Sequence, residues 1–502
     1  MKNILLTGLV LLIACGCSKN PPKNSVLSSE NATIQPDYTS VSIPRNIAPL
    51  NFTIRNNGDE FLTITRSRKG QQLEAKGRNV KWKLNDWHKL LDENKGDTLY
   101  TQIYIKKGKQ WFRFPVIRNY IAPEEIDNYI SYRLIEPSYE VYEYMTINQR
   151  NLSNFDEEIL YNNNTLARND EGHCINCHAY QNYNKTHKLQ FHVRQYKGGT
   201  IIATPAGIKK VNLKTDFSIS AGVYPAWHPV KNLIAYSVNN TEQHFHKKGA
   251  EKVEVMDSRS DLILYDVDKN EVRNIANDTT ALETFPAWSP DGKFLYYVSA
   301  QYPEGVGPKD SLITSYKNFR YNIYRKAFNS ETLEFSTAEL VFDAAAQKKS
   351  ATLPRISPDG KYLLFTMGNY GNFHIWHKSA DLYLIDIAKG TMLTMPEINS
   401  PETESYHSWS SNGSWIIFSS RRDDGSYTRP YITYFKDGRG HKPFILPQQD
   451  PERYSALFKS FNIPEFMVEP LRVTRKDLRK AIEKEPVKAA FVKPSSENTS
   501  AK

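Results

Sequence analysis

From Ser42 onward the chain alternates apolar and polar residues in short runs broken by Gly, Asn, Asp and Pro. Segments 50–54, 61–64, 98–105 and 111–116 all read this way, and a period of two predicts half-buried antiparallel strands. Residues 38–150 therefore predict an immunoglobulin-like β-sandwich. Trp82, Trp87 and Trp111 fall at its core positions, and one short helix is expected near 86–91. A Tyr-rich run at 129–137 ends it. The following stretch, 151–198, is polar and Asn-rich, with a short helix expected at 155–161.

Between 199 and 450 the strand pattern acquires a repeat. Tyr224-Pro225-Ala226-Trp227-His228-Pro229 aligns with Phe285-Pro286-Ala287-Trp288-Ser289-Pro290-Asp291-Gly292-Lys293. Leu353-Pro354-Arg355-Ile356-Ser357-Pro358-Asp359-Gly360-Lys361 and Tyr406-His407-Ser408-Trp409-Ser410-Ser411-Asn412-Gly413 continue it, at spacings of about 61, 68 and 53 residues. Pro fixes one dihedral, Asp or Asn caps the turn, and Gly takes the positive φ that closes a hairpin. A third strand follows each hairpin, at 261–266, 321–324, 381–386 and 431–434. Sheets repeated in this manner close radially into a propeller, and the long period means inserted loops.

These hairpins resemble the TolB-type β-propeller, whose blades carry the same Trp-Ser-Pro-Asp-Gly-Lys turn. The resemblance covers about half the chain and implies six blades. Four to five are countable, the fifth being a degenerate blade at 199–222. Glu283, Arg355 and His407, just ahead of the hairpins, are expected near the central channel, a funnel suited to a peptide or glycan. His244 and His246 read as residues of an exposed inserted loop.

Ahead of the repeat stands Cys174-Ile175-Asn176-Cys177-His178, the attachment signature of a c-type haem. On one helical turn, residues i, i+3 and i+4 share a face. Cys174 and Cys177 would then reach the two vinyl groups of one porphyrin, with His178 the proximal iron ligand. A zinc site using His173, Cys174, Cys177 and His178 and a disulfide or redox dithiol are the alternatives. For the distal side, alternation in Phe191-His192-Val193-Arg194 directs His192 inward, and Arg194 suits a haem propionate. His187, His246, Met145 and Met367 stay open.

The amino terminus changes the compartment. Lys2, a mostly apolar run from 4 to 13 and the sequence Ala14-Cys15-Gly16-Cys17 form a signal segment, 1–17, too short to span a bilayer. A cysteine after small residues resembles the bacterial lipobox, with Cys15 or Cys17 as the lipidated residue. Segment 18–37, rich in Pro, Asn and Ser, reads as a flexible tether. Export agrees with haem c, which is attached beyond the inner membrane. The whole order of lipobox, β-domain, single CxxCH and propeller is similar to a group of Bacteroidota lipoproteins labelled TolB-like or cytochrome c biosynthesis proteins. That likeness implies a cell-envelope location, lipid-anchored on the outer membrane and facing the periplasm, without a defined activity.

Charge and length narrow the classes. Sixty-five Lys and Arg face 55 Asp and Glu, a net +10, with the signs interleaved and no nucleic-acid motif. The expected partners are the membrane, through the lipid, and an envelope protein or redox partner. Only about 50 residues follow the last hairpin sheet, too few for the α/β-hydrolase domain of a propeller peptidase. No catalytic residue is assignable. Electron transfer or haem-based sensing is the leading reading, a haem with an open side would make a redox enzyme, and a non-enzymatic propeller scaffold is the alternative. Residues 451–502 are expected to close the ring. They then form a helix capped at Thr474 with an apolar stripe of Leu478, Ala481 and Ile482, and end in a disordered, mildly basic tail from 486.

Overall fold

The computed structural model describes residues 21–137, 143–166, 172–249, 251–308, 310 and 312–493. The expected signal segment, with Cys15 and Cys17, lies outside the described residues.

The protein is nearly all β. Its amino-terminal part has two unequal sheets of seven and three strands, with the expected helix at Leu84–Glu93. Both Val26–Leu27 and Ser42–Pro44 join the larger sheet in parallel. The sandwich is thus present in outline, and an immunoglobulin-like arrangement is not shown. Trp82 and Trp87 stack in the core with centroids 6.5 Å apart, while Trp111 is only half-buried against a small outer cluster.

Six sheets follow, and in blades 1 to 5 the first strand is innermost. Blade 1 runs from His173–Tyr180 to Gly207–Asn212. Blade 2 runs from Gly222–Trp227 to Glu271–Ala276, and blade 3 from Ala281–Trp288 to Glu339–Phe342. Blade 4 spans Ser350–Ile356 to Thr391–Leu393, and blade 5 spans Glu404–Trp409 to Phe444–Ile445. Blade 6 is assembled from both ends of the chain. Its inner strand is Ser460–Met467, paired antiparallel with Tyr129–Ile135, and Thr146–Asn151 and Glu157–Asn162 lie outside. This junction closes the ring.

The sheets divide the chain differently from the sequence reading. The boundaries at 150 and 198 fall inside the propeller. Segment 199–222 contributes outer strands of blade 1 rather than a fifth blade. The run expected to be helical at 155–161 is an edge strand, because pairing with 146–151 overrides its local preference. The tether already holds strands at Val26–Leu27 and Ile34–Gln35. The capped helix forms at Arg475–Glu483, Thr474 accepting from Asp477 N, with Leu478, Ala481 and Ile482 buried. Beyond it, Val487–Lys488 and Ala490–Phe491 add edge strands to blades 1 and 2, where a disordered tail was expected.

The largest core runs without a break from the amino-terminal sheets into blade 5. Polar staples reinforce it: Ser411 N and Oγ donate to Asp127 (2.7 and 2.6 Å), and Tyr434 Oη donates to Glu124 (2.7 Å). Trp415 is fully buried there against Tyr434. Trp415→Ala is expected to cost about 3–5 kcal/mol, read as a fall in the urea midpoint.

Candidate functional site

Each inner strand carries the same irregularity. At Cys177, Tyr224, Phe285, Leu353, Tyr406 and Ile463 the backbone turns left-handed, with φ between 38° and 54°, and the pairing with the second strand slips there. A left-handed non-glycine residue costs roughly 1–2 kcal/mol, so six in register mark a built feature. The bulge points that residue at the propeller axis. In five of the six strands the next position also leaves the ladder, so proline fits there without a lost hydrogen bond: Pro225, Pro286, Pro354 and Pro464, with His178 in blade 1. In blade 5 His407 stays paired with Phe418.

The haem-type signature is thus blade 1's copy of the repeat. Cys177-His178-Ala179-Tyr180 occupies the register of Tyr224-Pro225-Ala226-Trp227. It forms no helical turn. The tryptophans lace successive blades together: Trp227 Nε1 donates to Ala179 O, Trp288 Nε1 to Ala226 O and Trp409 Nε1 to Arg355 O, at 3.1–3.3 Å. The hairpins behave as expected. Ser289 and Ser357 donate to Asp291 and Asp359 (2.6 Å), and His228 takes the serine's place in blade 2, its Nδ1 accepting from Val230 N and Lys231 N.

Three connected spaces lie along the axis. At the hairpin end is a cavity of about 380 Å³ whose wall includes Arg355, Glu465 and Lys185. A waist of about 40 Å³ follows, bounded by the left-handed residues together with His178, Arg355 and Glu465. At the opposite end a cavity of about 710 Å³ is lined by Asn176, Cys177, His192 and Arg194, among others. That volume lies within the range of ligand pockets, roughly 300–1,000 Å³.

The expected site residues separate accordingly. Cys177 borders the waist and the larger cavity, and His192 and Arg194 share the cavity with it. Cys174 is half-buried on the same strand, packed against the cluster between blades 6 and 1. Arg355 reaches the channel and pairs with Glu465 at 3.7 Å. The alignable Ile463-Pro464-Glu465-Phe466 is the signal by which Glu465 could have been found in the sequence.

Glu283 and His407 are not on the channel. Glu283 is buried toward Asp261 of blade 2, and burial, then that charge, lifts its carboxyl to about 8. His407 is wedged between blades 4 and 5, Nε2 donating to Leu364 O at 3.1 Å. His244 and His246 stand on the long blade 2 hairpin, His246 lying 3.7 Å from the buried Glu254.

Two imidazoles beside Cys177 are incompletely satisfied. His178 is buried, its ring near the Ile463 backbone but without a well-formed hydrogen bond at either nitrogen. His192 is buried, with Nδ1 on Thr200 Oγ1 (2.9 Å) and Nε2 unpartnered. Burial pushes both down to about 3, aided by Arg133 at His178 and by Arg194 at His192. Both therefore keep a neutral ring at neutral pH, the form that binds metal. Burial raises the Cys177 thiol, with Arg194 opposing. The donor types, two thiols and two buried imidazoles, suit a c-type haem in chemistry. Of them Cys177 and His192 line the ligand-sized cavity, His178 lines the waist, and Cys174 lines neither. Among the described residues no group of three or more His, Cys, Asp or Glu is arranged to hold a metal ion by itself.

Buried neutral histidines elsewhere set the acid limit of the fold. Burial lowers His374 and His407 to about 3 and His228 to about 4. The unfolded chain, with histidine near 6.5, then binds protons that the native state does not. Their stabilisation is complete above about 6.5 and is lost as pH falls toward 3–4. Glu283, lifted to about 8, Glu465, lifted to about 7, and Asp261 and Asp381, lifted to about 6, work in the opposite sense and offset the loss down to about pH 4. The melting temperature is expected to fall most steeply between pH 4 and 3, where these carboxyls are protonated in both states and the histidines are not; a flat profile across that interval would contradict this burial.

The fold places the protein among six-bladed β-propellers, closed by strands from both ends of the chain. No protein-family profile and no curated protein matches the sequence. Similar solved structures include an oligogalacturonate lyase in complex with manganese, 13% identical over 69% of this chain and 89% of that one, TM-score 0.33. The β-propeller domain of the trilobed protease of Pyrococcus furiosus is 10% identical over 84% and 99%, TM-score 0.32. Hydrazine synthase of Kuenenia stuttgartiensis is 14% identical over 54% and 65%, TM-score 0.30. The propeller assignment rests on the sheets of this chain, not on these distant likenesses.

Proposed function

We propose that this chain is a lipid-anchored, TolB-like propeller of the bacterial cell envelope that carries one covalent haem c on blade 1 and serves electron transfer or haem-based sensing. One observation carries the reading. In Cys174-x-x-Cys177-His178, Cys177 stands between two buried imidazoles without full hydrogen bonding: His178 on the waist of about 40 Å³ and His192 on the cavity of about 710 Å³, and Cys177 borders both spaces. Cys174 and Cys177 would hold the group through thioethers, and His178 would offer the proximal nitrogen. His192 would stand on the distal side and Arg194 near the propionates. When bound, haem supplies one-electron chemistry whose potential follows ligands and burial. The chain's own part is to keep both imidazoles neutral and to limit water at the waist.

The test is the reduced-minus-oxidised spectrum of protein purified from a host that matures c-type cytochromes. A sharp α-band supports the reading, and carbon monoxide binding to the reduced form would show an open side. No band leaves the second reading, favoured by the Arg355–Glu465 pair in the cavity of about 380 Å³. In that case the protein is a non-enzymatic scaffold whose propeller takes an envelope protein, peptide or glycan.

A further inference from the structure

The described chain begins at Pro21, four residues after Cys17 and six after Cys15. An extended chain covers at most about 3.3–3.6 Å per residue, so a lipid on either cysteine would hold Pro21 within roughly 14–21 Å of its sulfur. A few residues on, Val26–Leu27 forms the edge strand of the seven-stranded sheet, parallel to Phe112–Arg113. Both side chains project into solvent, Val26 51% and Leu27 61% exposed. Gln110 Nε2 donates to Asn24 O (2.8 Å), tying a hairpin tip at 107–110 to this incoming segment.

The tip is basic. Lys23, Lys107, Lys109 and Arg113 are exposed, and no ion pair is found for any of them among the described residues. Nearby carboxylates are engaged: Glu60 pairs with Lys106 at 2.6 Å and Asp59 accepts from Gly108 N at 2.7 Å. Trp111 and Phe112, half-buried, sit beneath Lys106 and Lys107. Exposed aliphatic residues, aromatic rings and unpaired cations next to a lipid attachment point match the composition of a membrane–water interface.

We propose that this edge, Lys23 to Leu27 with the tip at 107–113, docks on anionic phospholipid headgroups and fixes the orientation of the protein on its membrane. The inference rests on the lipid-anchor reading. The lipid supplies attachment. The edge supplies a preferred face, holding the amino-terminal sheets against the bilayer.

The test uses the full mature chain from Ser18, made without acylation, and vesicles of phosphatidylglycerol mixed with phosphatidylcholine. Co-sedimentation is expected on these vesicles and not on phosphatidylcholine alone. K107E/K109E should weaken it by at least 25-fold, from a surface attraction of roughly fivefold per basic residue. K348E, on the exposed turn that joins blades 3 and 4, should leave binding unchanged, and equal melting temperatures would show that all three proteins are folded. Retention in the supernatant, binding that ignores K107E/K109E, or dimerisation of the free protein through this edge strand would each overturn the docking. Intact mass of detergent-extracted native protein reads the anchor separately: a diacylglyceryl adduct supports it, and its absence sinks the anchor whatever the vesicles show.

Discussion

A chain ending at Lys459 is expected to lose the native fold. Truncation there removes Ser460–Met467, the innermost strand of blade 6, and with it the buried Phe461, Phe466 and Met467. Each such side chain contributes roughly 1.5–3 kcal/mol. Their sum approaches the whole stability of a domain, about 5–15 kcal/mol. The opened ring would also leave Tyr129–Ile135 as an unpaired edge of blade 6, which favours aggregation. Because the truncation also removes the helix Arg475–Glu483, Phe461→Ala provides the finer version. Phe461 packs on Tyr132 at 4.8 Å across the closure, and its loss is expected to cost about 3–5 kcal/mol. A truncated chain that elutes as a monomer with native near-ultraviolet dichroism would show that closure lies elsewhere.

The second large effect is chemical and leaves the fold intact. Cys177→Leu is expected to abolish stable haem attachment while costing no more than about 1–3 kcal/mol of stability, the cost of added volume at the waist. Blade 4 carries Leu353 in the same left-handed register, so the strand accommodates leucine at the axis. Retention of the α-band, or collapse of the fold, would contradict one half of that statement. The pairing of outcomes separates what Cys177 does for the bulge from what it does for the cofactor.

The four repeat hairpins were legible because their information is local: a Ser-Pro-Asp-Gly turn or a partial copy of it falls within six residues, and in three of the four a Trp beside it marks the seam between blades. Blades 1 and 6 were hidden for different reasons. In blade 1 the register residue is Cys, the proline is His178 and the tryptophan is Tyr180, while Asn182–Asn184 replaces the Pro-Asp-Gly turn. Cys-His-Ala-Tyr shares only its alanine with Tyr-Pro-Ala-Trp, so the repeat leaves little identity there. In blade 6 the strands come from 129–162 and 460–467, and no local period links segments so far apart.

The site was legible in part for a related reason. Alternation placed His192 inward, and it is buried beside Cys177. It misplaced His407 because the bulge at Tyr406 swings the following side chain into the seam between blades. Glu283 lies ahead of its bulge and turns toward blade 2. Glu465 reaches the axis only because the ring closes through the carboxy-terminal strand.

The most direct measurement is the intact mass, under denaturing conditions, of the mature protein made in a haem-maturing host. The account predicts the polypeptide plus one haem, with the adduct on a peptide containing Cys174 and Cys177. A bare chain with two free thiols would contradict it, and the protein would then be a propeller scaffold whose blade 1 carries Cys-His-Ala-Tyr for the bulge alone.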